Sequence, residues 1–212
     1  MFFRAGAQSA TSCLLKRACR LFLDRRGIAA VEFAFIAPLL LSMYFVTMEV
    51  SQGIEANKKV GRIGSMVADL VTQQSSVKLE DVKAIMDIGQ SILQPYSRSK
   101  PTIVITAINV SYSPSPVATV AWSVKMENGI YTRPYTSGSP ATIPDDLMFD
   151  QGTIERTFLI RVESDLAYKP VITWSASGKP ALGLAAAFDG ISMSETYYMR
   201  PRMSKEISCS NC

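Results

Sequence analysis

The feature that most limits what this chain can fold into is an apolar run near its start. From Phe33 to Met48, 16 consecutive residues carry no formal charge. Widening the limits to Ile28–Val50 gives 23 residues, interrupted only by Glu32 and Glu49. As a helix, 23 residues extend roughly 34 Å, slightly more than the hydrocarbon thickness of a bilayer. A buried helix of a soluble core would need a polar side, and around Leu39, Leu40, Leu41, Met43, Tyr44, Phe45 and Val46 there is none. Residues 28–50 therefore read as one transmembrane helix. A cleaved secretory signal is the nearest rival, but it carries a shorter apolar core ending at an A-x-A-like site. The "TMEVSQG" that follows the run offers no such site.

Charge then orients the span. Residues 1–27 hold six basic side chains against one acid, Asp24, so this segment is +5 of a total +4 and the remainder is −1. A nucleic-acid binder would spread its basic surface over a folded domain. Here the positive charge stops where the apolar run begins, the pattern that keeps an N-terminus cytoplasmic and sends the rest across the membrane. No nucleic-acid partner is expected, whereas membrane lipids are. Within residues 1–27, "CLLKRACRLFLDRR" reads equally as a short helix on the anionic leaflet or as a basic tail.

Glu32 is the anomaly in the run. Insertion scales put a carboxylate at the bilayer centre at a cost of about 2.5–3.5 kcal/mol, and less in the first turns of a helix. Two readings stand. The side chain reaches back to the headgroups, or it meets a positive partner at its own depth. Cleavage after Gly27 would create such a partner, the new amino group of Ile28, either in the same chain or in a neighbouring subunit.

The residues around this point carry a resemblance. Arg26-Gly27, Ala30-Val31-Glu32-Phe33, Pro38 and Glu49 together resemble the N-terminal signature of TadE/TadG-like pilus assembly proteins, and "YYMRPR" at 197–202 resembles the end of that family. The resemblance implies a pseudopilin-like component of the tight-adherence (Flp) pilus machinery in a bacterial inner membrane. It implies further that a prepilin peptidase cuts after the glycine. Carried over, Gly27 is the recognition residue, Ile28 the new terminus followed by Glu32 and Phe33, and Glu32 the assembly carboxylate. The 27-residue leader, with Cys13 and Cys19, is long for such a substrate, so cleavage and retention of the full chain both stay open. The major pilin and other pilin-like or assembly subunits are the implied partners. Ala30, Ala34 and Ala37 share one helical face that permits close helix approach, and Pro38 next to them removes a backbone donor.

Beyond the span the helical spacing persists through "SQGIEANKKVGRIGSMVADLV" to about Val71, with Gly61 and Gly64 weakening it by about 1 kcal/mol each against alanine. "QQSS" breaks the pattern. "KLEDVKAIMDIGQSILQP" reads as a second amphipathic helix with Leu79, Val82, Ile85, Met86, Ile92 and Leu93 as its apolar stripe. From Thr102 the period becomes two. "TIVITAINVSY" is a strand, and "TVAWSVKME" places Val120, Trp122, Val124 and Met126 on one face. Asn128-Gly129 is a hairpin turn returning into "IYTRPY", and "SPSP" at 113–116 is a further turn. "TFLIRVESDL" and "ISMSETYYMR" are strands, joined by a long irregular connection over 168–190.

The expected fold class is α+β: a single N-terminal transmembrane helix continuing into a stalk helix, a second amphipathic helix, then an antiparallel β-sheet domain, in a pilin-like architecture. The organisation is 1–27 basic cytoplasmic leader, 28–50 transmembrane helix, 51–100 helical stalk and second helix, and 101–212 periplasmic sheet domain with a C-terminal C-x-x-C.

Catalytic signals are missing. The chain has no histidine, which removes the imidazole base and the commonest zinc ligand. No Walker loop, dinucleotide fingerprint or HExxH occurs. "DGISMS" from Asp189 comes near a D-x-S-x-S metal motif but is one residue too long. Neither enzyme activity, nor a cofactor, nor a metal is expected. In an oxidising compartment Cys209 and Cys212 suit a local disulfide, with free thiols or an intermolecular link as alternatives. A membrane-anchored ligand-binding or sensing domain is the rival function, and it would call for a concave apolar pocket and have no need of Gly27 or Glu32.

Overall fold

In the computed structural model, residues 27–96, 98–112, 116–148, 156–170 and 191–212 are described. The apolar run and its continuation form one helix, α1, Ile28–Thr72, which passes through Pro38 unbroken. The chain divides into two units between Met48 and Glu49. In the first, the helix is apolar and bare: Phe33 and Phe35 are 71% and 77% exposed. An 18-residue window of mean hydropathy 1.9 has none of its residues buried.

The second unit is α+β, as the periodicity predicts. Strand β1, Ser76–Lys78, follows α1 and leads into α2, Leu79–Ile92. The backbone N–H of Lys78 donates to Asp81 Oδ2 at 2.9 Å, and Glu80 with Asp81 places negative charge in the first turn, where the helix dipole favours it. The strands β2, Thr102–Ser111, β3, Val117–Glu127, and β4, Ile130–Thr132, are followed by a single turn of helix, α3, Asp145–Met148. Then come β5, Arg156–Ala167, β6, Ser192–Met199, and β7, Ser208–Ser210. Five strands form one sheet in the order β4-β3-β2-β5-β6, antiparallel throughout. Its strands follow the chain except where β5 joins β2, so the sheet grows outward from β2 on both sides.

One sheet face carries the main core. Ala56, Val60, Ile63, Val67 and Val71 of α1 recur every three or four residues and pack with Val82, Ile85 and Met86 of α2. Ile103, Ile105, Trp122, Val124, Phe158, Ile160 and Val162 meet them from the sheet. The Asn128-Gly129 turn has φ of 54° and 82° at its two central residues, the doubly positive pattern of a tight hairpin. The returning strand ends at Thr132, before Pro134, which has no N–H to give the ladder.

Two departures from the sequence pattern have clear causes. The register of β2 against β3 shifts between Ala107 and Ile108, so that Ala107 faces Trp122 but Ile108 faces Val120. Ala121 is the extra residue of a bulge, and a bulge inverts the alternation beyond it. Val120 therefore leaves the Trp122 face, where alternation put it, for the opposite face. There Ile108, Val110, Ala118, Ile143 and Leu159 form a second cluster. The other departure is β1, which starts at the last residue of "QQSS" and takes Lys78, read from the sequence as the start of the second helix. It pairs in parallel with β7, Val77 opposite Cys209, and Trp122 Nε1 donates to the Ile207 carbonyl at 2.8 Å. The "SPSP" turn, apart from Pro116, and residues 171–190 of the long connection lie outside the described residues, as do the basic segment 1–26 and Asp189.

The end of α1 is held by the C-terminal segment. Arg202 donates its backbone N–H to the Thr72 carbonyl at 3.0 Å, and its guanidinium pairs with Asp69 at 2.7 Å. A carbonyl that the helix itself leaves without a partner is thereby satisfied. Gly61 and Gly64 also gain a meaning that spacing alone did not give them. A Cβ on Gly64 would lie 2.7 Å from Tyr197 Cδ2 and 3.0 Å from Ser164 Oγ, so the glycine lets the sheet reach the helix.

Candidate functional site

The residues singled out by sequence lie at the start of α1. Gly27 immediately precedes it and Ile28 is its first residue, 57% exposed. Glu32 stands one turn later, exposed, followed by exposed Phe33. A four-residue separation puts residues 28 and 32 on one face. Ala30 and Ala34 are exposed on α1, Ala37 is half-buried and Pro38 exposed. A bare helical surface with small residues at i, i+4 and i+7 can bring another helix close, or lie in lipid; it has no chemistry of its own. At the other end of the chain, Cys209 and Cys212 are joined by a disulfide, and Cys209 belongs to β7.

Sequence reasoning noted Glu49 only as part of a signature. In the structure it opens the second unit and is 5% exposed. The Tyr168 hydroxyl donates to Glu49 Oε1 at 2.6 Å. Burial, and then the hydrogen bond to Glu49, holds the Tyr168 phenol well above its ordinary range. Further contacts follow along α1. Arg98 donates to Gln52 Oε1 at 3.3 Å, and the Tyr96 hydroxyl donates to Glu55 Oε2 at 2.6 Å. Lys59 donates to the Gln94 carbonyl while its ammonium lies 4.9 Å from the Tyr96 ring centre. The Ser164 hydroxyl donates to the Val60 carbonyl at 3.0 Å. The polar positions 49, 52, 55 and 59 of α1, three or four residues apart, thus root the helix in its own domain. The only signal for this in the sequence is that spacing. Tyr96, Tyr168 and Ser164 come from remote loops and strands that no local pattern connects to it.

Among the described residues no group of three or more Cys, Asp or Glu side chains is placed to hold a metal. Depressions next to α2 and beside β2 are open and lined largely by polar residues such as Asp87, Gln90 and Ser91, or Asn109, Ser111 and Thr119.

Residues 27–61 match the family model described as TadE-like protein. No curated protein matches the chain, and no solved structure does. The matched stretch runs from the glycine before α1, through the bare apolar helix, to the first glycine that approaches Tyr197. That segment, 35 of the 212 residues, is what the chain shares with TadE-like proteins.

Proposed function

We propose that this chain is a non-catalytic, membrane-anchored, pseudopilin-like component of the tight-adherence (Flp-type) pilus machinery. It sits in a bacterial inner membrane by a single span, with the basic N-terminus cytoplasmic and the sheet domain periplasmic. The observation that carries the reading is the coincidence of two features in one segment. Residues 27–61 match the TadE-like family, and the first part of that segment is an exposed apolar helix interrupted early by Glu32. In this reading a prepilin peptidase cuts after Gly27. Glu32 neutralises the new amino group of Ile28 or of a neighbouring subunit. The Ala30, Ala34 and Ala37 face packs against pilin-like helices, and the sheet domain is presented to other assembly subunits. The rival reading, an anchored ligand-binding or sensing domain, calls for a concave apolar pocket, and no described residues supply an observation that favours one.

The test is a pair of measurements on the chain produced in its own host. Intact mass of the membrane-extracted protein is expected to begin at Ile28. Glu32→Ala is expected to abolish piliation while the protein stays in the membrane, and Glu32→Gln to reduce it. Normal piliation with Glu32→Ala would overturn the assembly role.

A further inference from the structure

The turns of α1 beyond the apolar run border a crevice that the assembly role does not use. Ile28 to Val50 is 23 residues, about 34 Å of helix, slightly more than the roughly 30 Å hydrocarbon core. The headgroup layer adds about 5–7 Å on each side, four or five residues of helix. Residues 51–55 therefore lie at headgroup level. The side chains that meet α1 there are Arg98 at Gln52 and Tyr96 at Glu55, with Tyr168 at Glu49 just before them. Lys59 lies over the Tyr96 ring one turn later.

Tyr96, Arg98, Ser99, Tyr168 and Lys169 line one crevice, with Ala56 and Leu166 as its apolar wall, and its space is about 10 Å³, close to that of one water-sized atom. The Ser99 hydroxyl oxygen is shut off from solvent and has no hydrogen-bond partner, so it can donate to a group that enters. Arg98 and Lys169 are exposed. Neither takes part in an ion pair among the described residues. The nearby carboxyl groups of Glu49 and Glu55 accept hydrogen bonds from the two tyrosines. Two cations without an ion pair, Arg98 being bonded only to the neutral Gln52 amide, an unpartnered hydroxyl and room for one oxygen suit a tetrahedral oxyanion, and tyrosines are at home at the depth where lipid phosphates lie.

We infer that this crevice docks the headgroup phosphate of an anionic phospholipid in the leaflet from which the helix emerges. One phosphoryl oxygen enters to accept from Ser99, and Arg98 with Lys169 neutralises the remainder. The inference rests on the reading that residues 28–50 span the bilayer. Its consequence is that the sheet domain is held down on the membrane by lipid.

The full chain, reconstituted in nanodiscs of mixed phosphatidylglycerol and phosphatidylcholine, tests this by native mass spectrometry of the lipids it retains on release. The basic segment 1–27 also attracts anionic lipid, so the readout is the difference between wild type and variant. Each basic side chain near an anionic surface strengthens binding roughly fivefold. The Arg98→Ala/Lys169→Ala chain is therefore expected to lose about tenfold or more of the phosphatidylglycerol enrichment. Ser99→Ala is expected to lose less, and Arg98→Lys/Lys169→Arg to keep most of it. Unchanged enrichment in the double alanine variant, with both proteins resisting carbonate extraction, overturns the crevice and leaves the span standing. Extraction of the wild-type chain by carbonate overturns the span and the crevice together.

Discussion

Gly64→Ala sets packing against helix propensity within a single helix, and the two arguments predict opposite signs. By propensity alone, alanine in place of a mid-helix glycine stabilises by about 0.8–1.0 kcal/mol. At Gly64 the new methyl would sit 2.7 Å from Tyr197 Cδ2, 3.0 Å from Tyr197 Cε2 and 3.0 Å from Ser164 Oγ. These are not yielding neighbours. Cδ2 lies near the root of the ring, and Ser164 is held by its bond to the Val60 carbonyl. Forcing a methyl into a filled site costs about 1–3 kcal/mol, so the net effect is a loss of about 1 kcal/mol. Gly53 in the same helix is the control, because a Cβ there meets nothing within 4 Å, and alanine should gain the propensity term in full. The two variants should therefore differ by about 2 kcal/mol. For a chain of this length 1 kcal/mol moves Tm by about 2–4 °C, which gives a separation of roughly 4–8 °C. The assay is a thermal melt of the full chain in detergent, followed by tryptophan fluorescence, with Trp122 buried in the main core as reporter. If Gly64→Ala raises Tm as much as Gly53→Ala, the close approach of Tyr197 to α1 is wrong.

Two further outcomes follow from the hydrogen bonds that tie the helices to the rest of the domain. Tyr168→Phe removes a donor from the buried Glu49 carboxyl group and should cost about 1–2 kcal/mol in the same melt; an unchanged Tm would show that the contact contributes nothing. Tyr131 donates to Asp87 Oδ1 at 2.7 Å, and burial first, then Asp87, pushes its phenol up to about 12. A phenol raised from its ordinary value of about 10 contributes stability that is whole below about pH 10 and lost as pH rises through about 12. Tyrosinate absorbance should show this late ionisation beside that of Tyr168, Tyr131→Phe should remove one late tyrosine and leave the Tyr168 one, and a late titration of unchanged amplitude in Tyr131→Phe would refute the contact.

What could be read from residues alone followed from local physics. An apolar run of bilayer length, a basic segment before it and a glutamate five residues after a glycine specify a helix, its expected orientation and the family resemblance, because each signal lies within a few residues of its meaning. The apolar stripe of α2, the period-two strands and the Asn128-Gly129 turn were legible for the same reason. Tertiary structure decided the rest. The bulge at Ala121 moved Val120 to the second face, although nothing in "TVAWSVKME" marks an interruption, because register is set by the partner strand. Strand β1 exists only because β7, more than a hundred residues later, supplies its ladder. Gly64 looked like a weak point in a helix until Tyr197 stood over it. Glu49 acquired its partner, and Ser99 its place beside Arg98 and Lys169, only when loops and strands remote in sequence closed around α1: hydrogen bonds and sterics act over a few ångströms of space, and sequence spacing reports such distances only within one helix or one strand.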